Sequence, residues 1–490
     1  RELHERHGHL QEVIIQNFRA KPGTKMVNAP EPSLDELVWT IAVARIIFGP
    51  EMNLQAPPNL SAGNLSALVG AGINDWGGVS PVTPDHVNPE APWPELLELS
   101  RATAECGKLL TERLALYPGY AVAGEAWLDE KVRPQVQRIS DGEGFARVDS
   151  WSPGQGTLPP KMMGNPQGIR KGSVSREIEE LLVKPTTTAE WSEAEIERLL
   201  RSRGDDFEVV CAAADALRKQ VSGEVVTYAV NRNINYTNIC YFRCGFCAFS
   251  KGKMSENLRG KPYNLGLDEI VRRTEEAWSR GATEVCLQGG IHPSYTGQTY
   301  LSICGAIKAA VPEMHIHAFS PLEVWQGAQT LGLTVAEFLS RLCEAGLGTL
   351  PGTAAEVLDD EVRAVICPDK LTTVQWLSVM RDAHEVGFRT TATLMYGHVE
   401  TPRQVARHFL RLRELQRQTG GFTEFVPLPF VHMEAPIYLK GKARPGPTFR
   451  EAVLVHAVAR LVLHPHFSNI QTSWVKMGPE GVKTCLNAGV

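Results

Sequence analysis

The chain has 490 residues, with 50 lysines and arginines against 55 aspartates and glutamates and a formal net charge of −5. That length predicts two or three domains with ample core. Mixed charge without a basic run argues against a nucleic-acid partner, and the lack of a long apolar stretch argues against a membrane role.

The ten cysteines are scattered through the chain and not spaced as a disulfide framework, which points to a reducing, cytosolic compartment. Residues 1–18 read as a short helix, RELHERHG, and a strand, EVIIQNF, ending in the polar pair Gln16 and Asn17. SLDELVWTIAVARIIF at 33–48 reads as an amphipathic helix with Ser33 as cap and Glu36 three residues on. A strand end follows at Asn53 to Pro58. GNLSALVGAGINDWGG then gives a helix, a strand and a glycine-rich turn, where Asn74 and Asp75 either meet a ligand or cap the turn. Residues 79–172 are rich in proline and aromatics and offer one helix, ELLELSRATAECGKLLTERLA. A linker is expected over 151–178 and a helical extension over 179–224, with Ser192 and Glu195 as a capping box.

From residue 225 strands and helices alternate. Strands are expected near 233–239, 283–288, 314–319, 346–350, 388–394, 423–428, 468–472 and 484–488, with helices at 267–280, 297–310, 334–345, 371–386, 401–419 and 447–463. Repeated βα units with apolar strands predict a parallel α/β architecture, and eight of them a (β/α)8 TIM-type barrel. Its active site belongs at the C-terminal ends of the strands.

The stretch NYTNICYFRCGFCAFS, at 235–250, sits at the first of those ends and carries Cys240, Cys244 and Cys247 in a CxxxCxxC spacing. Three close thiolates suit a soft metal or an iron–sulfur cluster. A tetrahedral zinc would need a fourth ligand, and none stands nearby in sequence. A [4Fe-4S] cluster on three cysteines leaves one iron open for a small ligand. Tyr241, Phe242, Phe246 and Phe249 would keep water away. The plain alternative is three small, buried, unliganded thiols.

Other polar residues cluster at the later strand ends. Gln288, Gly289 and Gly290 end an apolar strand, followed by His292. The two glycines either let backbone approach a ligand or make a tight turn. His315 and His317 fall on one side of a strand, with Ser320 and Glu323 beyond. The pair looks like a metal site but lacks a third ligand of matching spacing, so hydrogen bonding toward a substrate or nucleoside is preferred, with packing the alternative for His315. Glu356 follows a strand end in GTAAEV, where it grips a ligand or begins a helix. Tyr396, His398 and Glu400 follow in MYGHVET, Gln471, Ser473 and Lys476 in QTSWVK, and Asn487 closes the ring.

The cysteine spacing resembles that of the radical S-adenosylmethionine superfamily, with Phe246 at its characteristic aromatic position. The longer set of NYTNICYFRCGFCAFS, LQGGIHP, GTAAEVL and MYGHVET is similar to the FO synthase family, in its 4-hydroxyphenyl transferase half. The resemblance implies a [4Fe-4S] cluster on Cys240, Cys244 and Cys247. It places S-adenosylmethionine against Phe246, Gln288, Gly289, Gly290 and Glu356. Asn235, Thr237, His292, His317, Ser320, Tyr396, His398, Gln471, Ser473 and Asn487 would surround the substrates. These would be L-tyrosine and 5-amino-6-(D-ribitylamino)uracil, with an external one-electron reductant. The product would lead to the deazaflavin core of coenzyme F420. Menaquinone-pathway relatives, which use a chorismate-derived enol ether, are the alternative, and a structural metal-binding protein a more distant one.

An internal repeat extends this resemblance. Residues 1–18 align with 413–430, ARIIFGPEMNLQ at 44–55 with ARLVLHPHFSNIQ at 459–471, and LVGAGINDWGG at 68–78 continues where CLNAGV at 485–490 stops. Residues 1–150 are thus expected to be the C-terminal part and tail of a first radical S-adenosylmethionine barrel, without its cysteine loop. Residues 225–490 would be a second barrel, cut near its end. A ring-closing lyase activity would belong to the first barrel when complete.

Overall fold

The computed structural model describes residues 1–80, 82–160, 173–186, 189–250 and 261–490. Residues 161–172 of the expected linker lie outside them. Two compact units emerge, a smaller one built on Arg1–Ala121 and a larger one on Ser175–Val490, to which Val122–Glu143 also belongs.

In the larger unit seven strands form one parallel sheet in chain order. They are β3 (Asn231–Asn235), β4 (Glu284–Gln288), β5 (His315–Ala318), β6 (Thr349–Leu350), β7 (Arg389–Tyr396), β8 (Phe422–Pro429) and β9 (Asn469–Ile470), numbered after two strands of the smaller unit, β1 (Glu12–Ile14) and β2 (Asn53–Gln55). β7, RTTATLMY, is buried from its second residue to its last, as suits a β-branched strand covered on both faces. Val285, Leu287, Ile316 and Leu350 are fully buried together with Phe338 in one core. A helix returns the chain after each of β4 to β8. Many begin on the same device: Ser320, Thr334, Thr372, Thr401 and Thr448 each close a capping box with a glutamate or glutamine three residues on. The Ser192–Glu195 box is present too, on the extension helix Glu193–Leu200.

The βα rhythm and the strand order follow the barrel reading, with three corrections. The stretch expected as an eighth strand, 484–488, is the end of a helix, Trp474–Leu486. Its buried residues Met477, Gly481 and Cys485 recur every four positions, the period of a helix and not of a strand. Among the described residues no ladder joins β3 to β9. Helices not foreseen include Pro321–Thr330, Asp360–Ile366 and the short Pro436–Leu439. No helix of the described residues is long and apolar enough to cross a membrane.

The smaller unit pairs β1 with β2 in parallel and packs helices Leu34–Phe48, Leu65–Ala71 and Leu96–Glu105 around Leu37, Ile41, Leu68 and Trp76. The Ser33–Glu36 capping box is present. The strand expected at GINDWGG reduces to a single bridge, Gln55 to Asp75, and the helix expected to reach residue 115 stops at Glu105. Asn74 and Asp75 serve the turn. Asn74 accepts the Leu54 N–H at 2.8 Å, and Asp75 accepts the Gly77 N–H at 2.6 Å and the Arg113 guanidinium. Asn17 donates to the Leu60 carbonyl at 3.3 Å.

The repeat is present in the hydrogen bonds as well as the letters. Glu12 pairs with Asn53 in one unit and Glu424 with Asn469 in the other. Asn53 donates to the Gln11 carbonyl at 2.8 Å, and Asn469 to that of Thr423 at 3.0 Å. Arg45 Nε donates to Gly72 and its Nη1 to Met52, at 2.8 and 2.6 Å. Arg460 does the same to Gly489 and Ser468, at 2.6 and 2.7 Å.

Two glycines of the larger unit predict opposite responses to a methyl group. A Cβ on Gly352, just past β6, would stand 2.2 Å from the Thr391 carbonyl oxygen, whereas one on Gly305, inside the helix Gly297–Ala310, would meet nothing within 4 Å. Chemical denaturation of the full chain should show Gly352→Ala destabilising by about 1–3 kcal/mol. Gly305→Ala should stabilise by about 0.5–1 kcal/mol.

Candidate functional site

The loop after β3 leaves the sheet at its C-terminal end and carries all three cysteines of the CxxxCxxC run. Irregular backbone survives there only if its N–H groups find acceptors. Tyr241 donates to the Ile291 carbonyl at 3.1 Å, Arg243 to the Asp369 carboxylate at 2.9 Å, and Gly245 to the Ile366 carbonyl at 2.7 Å. The Gly245 carbonyl in turn accepts the Ile437 N–H at 2.7 Å. Three other segments at the strand ends thus hold the loop. Cys240 and Phe242 rest on an apolar patch of Ile291, Leu322, Ala354 and Leu371.

The glycine pair is needed first for that packing. A Cβ on Gly289 would lie 2.3 Å from the Tyr236 ring, and one on Gly290 2.3 Å from the Ile239 carbonyl oxygen and 2.9 Å from Cys240 Cβ. The Gly290 N–H donates to the Thr237 carbonyl at 2.9 Å.

Beneath both lies Glu323, 1% exposed. One carboxylate oxygen accepts the Tyr236 hydroxyl and the Gly289 N–H, and the other accepts the Ser320 N–H and hydroxyl. Burial pushes its carboxyl above the usual range, and these donors work against that. One residue therefore ties the cysteine loop, the glycine turn and a helix start. No role for it was foreseen, although the Ser320–Glu323 spacing was a readable capping signal.

Across the mouth, Glu356 takes a left-handed backbone, φ 49°, as does Ala354 at 62°. The buried Arg363 guanidinium holds this turn by donating to the carbonyls of Ala354, Ala355 and Leu371. Glu356 accepts Lys370 Nζ at 2.9 Å, and the same ammonium stands 5.1 Å over the Phe246 ring. Burial opposes the charge of Lys370, but Glu356 and the sulfurs of Cys244 and Cys367 outweigh it and raise its pKa. Burial pushes the thiols of Cys240 and Cys244 up, and that of Cys367 to about 11.

Several residues singled out in the sequence are engaged within the scaffold. Thr237 donates to the Tyr263 carbonyl at 2.8 Å, and Asn235 accepts the Tyr263 hydroxyl on its carbonyl. His315 and His317 both hydrogen-bond the Thr349 hydroxyl, at 2.8 and 2.7 Å, and not a ligand-facing group. Ser320 caps a helix. His398 is fully buried between the Met395 carbonyl and Glu400, each at 3.0 Å. Asn487 stands at the end of a helix, not of a strand, and donates to the Lys483 carbonyl at 2.9 Å. Tyr396 is buried with its hydroxyl unpaired. Gln288 ends β4, and Gln471 and Ser473 follow β9 at the same mouth. His292 accepts the Ser294 N–H at 3.1 Å and stacks beside Tyr295.

Among the described residues, no three His, Cys, Asp or Glu side chains are already gathered around a point a metal could fill. The cysteine loop fits a thiolate-bound group through its donors. Cys240, Cys244 and Cys247 are free, soft and partly exposed; the loop backbone is fixed by its neighbours, and the backbone N–H groups of Ile291 and Phe242 also reach the Cys240 sulfur, a contact that favours its thiolate.

Two predictions follow from these carboxylates. Glu323→Ala leaves buried donors unmatched at about 1–3 kcal/mol each. It should lower the denaturation midpoint and speed hydrogen exchange at the Gly289 amide. Burial alone would raise the Glu400 carboxyl, but His398, Arg444 and the Gly397 N–H outweigh it and hold it at about 2, below its ordinary 4.5. Its contribution to stability is full above 4.5 and is lost as pH falls toward about 2. Glu400→Gln should remove that part of the acid limb when denaturation midpoints are followed against pH.

Residues 234–412 match the model of the radical SAM superfamily. FO synthase of Streptomyces coelicolor is 46% identical over 99% of the chain and 60% of its own length. FO synthase of Mycobacterium tuberculosis is 45% identical over all of the chain and 61% of its own length. The chain thus spans about 60% of the length of these curated relatives. The 5-amino-6-(D-ribitylamino)uracil–L-tyrosine 4-hydroxyphenyl transferase of Methanothermobacter thermautotrophicus is 47% identical over 59% of the chain, in its C-terminal half, and 78% of its own length. In fold, the chain is similar to the FeFe-hydrogenase maturase HydG from Carboxydothermus hydrogenoformans. That match has a TM-score of 0.51 at 18% identity, over 64% of this chain and 69% of that one.

Proposed function

The chain belongs to the family of radical S-adenosylmethionine enzymes that includes FO synthase and the 4-hydroxyphenyl transferase, and we propose that its larger unit couples L-tyrosine to 5-amino-6-(D-ribitylamino)uracil. The observation that carries this is the cysteine loop itself, fixed by backbone bonds at the C-terminal ends of a parallel sheet with its thiols left free. That is where an α/β enzyme of this kind does its chemistry.

In this reading Cys240, Cys244 and Cys247 hold a [4Fe-4S] cluster. When bound, the cluster and S-adenosylmethionine supply one-electron cleavage of a sulfur–carbon bond and a carbon-centred radical able to remove a hydrogen atom. The protein binds, orients and encloses. Phe246 screens the loop from water on the side where Lys370 packs over its ring. Glu356, held by Lys370, would be the carboxylate toward the nucleoside, and Gln288, beside the Gly289–Gly290 turn whose N–H groups are spent on Glu323 and Thr237, would lie toward the amino-acid end. Gln471, Ser473 and His292 supply uncharged hydrogen-bonding groups, which suit an amide-rich ring and a polyol. Side chains already spent on the scaffold, such as His317, Ser320, Thr237 and His398, act by fixing the strand ends. Aligning one hydrogen and excluding water are the tasks left to such a site.

The site would work in the cytoplasm with an external one-electron donor. In the complete protein a preceding lyase would close the third ring to give the deazaflavin.

Two measurements test the reading. Replacing any one of Cys240, Cys244 and Cys247 with alanine should remove most of the iron taken up on anaerobic reconstitution, while the fold, followed by circular dichroism, is kept. The full chain given reductant, S-adenosylmethionine and both substrates should consume tyrosine only when the aminouracil is present. Full iron in all three variants refutes the ligand set, and coupling of a chorismate-derived enol ether in place of tyrosine refutes the substrates.

A further inference from the structure

Among the described residues two lysines reach the mouth of the sheet, and only one has a hydrogen-bonded anionic partner there. Lys370 is spent on Glu356 at 2.9 Å. Lys476 lies in the first turn of the helix that follows β9, and its Nζ donates to the carbonyl of Pro429, the last residue of β8, at 3.3 Å. That long bond to a neutral acceptor is the one it makes among the described residues. Glu356 is near enough to act on its charge, yet its hydrogen bond goes to Lys370. An ammonium has three donors, so this one has capacity to spare at the mouth.

We propose that Lys476 is the anchor for the α-carboxylate of the amino-acid substrate. The assignment rests on the tyrosine-coupling reading and deepens it. Of the two substrates in that reading, only the amino acid carries a carboxylate. The ribitylaminouracil has no acidic group, and the carboxylate of S-adenosylmethionine is committed to the cluster side.

Two further observations support a ligand role over a structural one. The turn that corresponds to 472–477 in the smaller unit, APPNLSA at 56–62, contains no lysine, although the arginine, asparagine and strand register around it are kept. The repeated frame therefore stands without this side chain. Burial also lowers the Lys476 pKa from 10.5 to about 8, the mark of an enclosed ammonium whose charge is not yet matched. A carboxylate placed against it supplies a charge-assisted hydrogen bond.

The test compares L-tyrosine with tyramine, which lacks the carboxylate. Equilibrium dialysis of the reconstituted full chain, with S-adenosylmethionine present, measures both ligands on the wild type, Lys476→Met and Lys476→Arg. The wild type should prefer L-tyrosine by about 10- to 100-fold, the worth of one charge-assisted hydrogen bond. Lys476→Met should lose that preference by weakening tyrosine and leaving tyramine within about threefold. Lys476→Arg should keep much of it. A wild type that binds the two equally overturns the assignment without any variant. A chain that couples tyrosine, and whose Lys476→Met form keeps the full preference, overturns the assignment alone. A wild type that neither binds nor couples tyrosine overturns the underlying reading as well.

Discussion

A carboxylate withdrawn from water organises the active end of the larger unit. Glu323 cannot be buried without donors, and it takes them from Tyr236 before the cysteine loop, Gly289 in the turn after β4, and Ser320 at the start of a helix. Remove it and three independent segments lose their common acceptor. None of the hydrogen bonds to Glu323 uses a sulfur. Arg363 plays the matching part across the mouth, where one guanidinium satisfies carbonyls of the left-handed turn that aims Glu356. A site that must hold a radical in check needs such rigidity more than it needs many reactive groups.

Charge at the mouth follows from the same economy. Lys370 neutralises Glu356 beside Cys244, so charge on that side of the mouth is already balanced. On the far side the deeply buried set of His398, Glu400, Arg444 and Glu451 closes on itself, and its acid and base groups serve the fold. Between these settled groups Lys476 is the exception.

Much of this was legible in the sequence, and the failures have physical reasons. The helix at 297–310 and the strand at 283–288 were placed within a residue, because their apolar residues recur at clean periods and their ends carry caps. The helix Pro321–Thr330 was missed because its short run follows a strand directly and its proline reads as a loop, although Pro is at home in a first helical turn. Cys485 and Leu486 were read as a strand because a short apolar run has no period of its own, and burial of Met477, Gly481 and Cys485 settles it as a helix. The cysteine loop was plain from spacing. The partners of polar residues were not: that His315 and His317 share the hydroxyl of Thr349, on a neighbouring strand, depends on sheet register, which no local pattern reveals.

The twin arginines, Arg45 and Arg460, bear on how the two units can change over generations. Each bolts a helix to the same two carbonyl positions of its own unit, so a substitution at either orphans several backbone acceptors at once. The stretch above the bolt differs between the units: it reads APPNLSA in one, where the Leu60 carbonyl accepts Asn17 and Arg19, and TSWVKM in the other, where Lys476 reaches the Pro429 carbonyl. The same arginine frame thus carries two different stretches, one without a lysine and one with Lys476. One frame can therefore present different side chains at this position while its bolt stays the same.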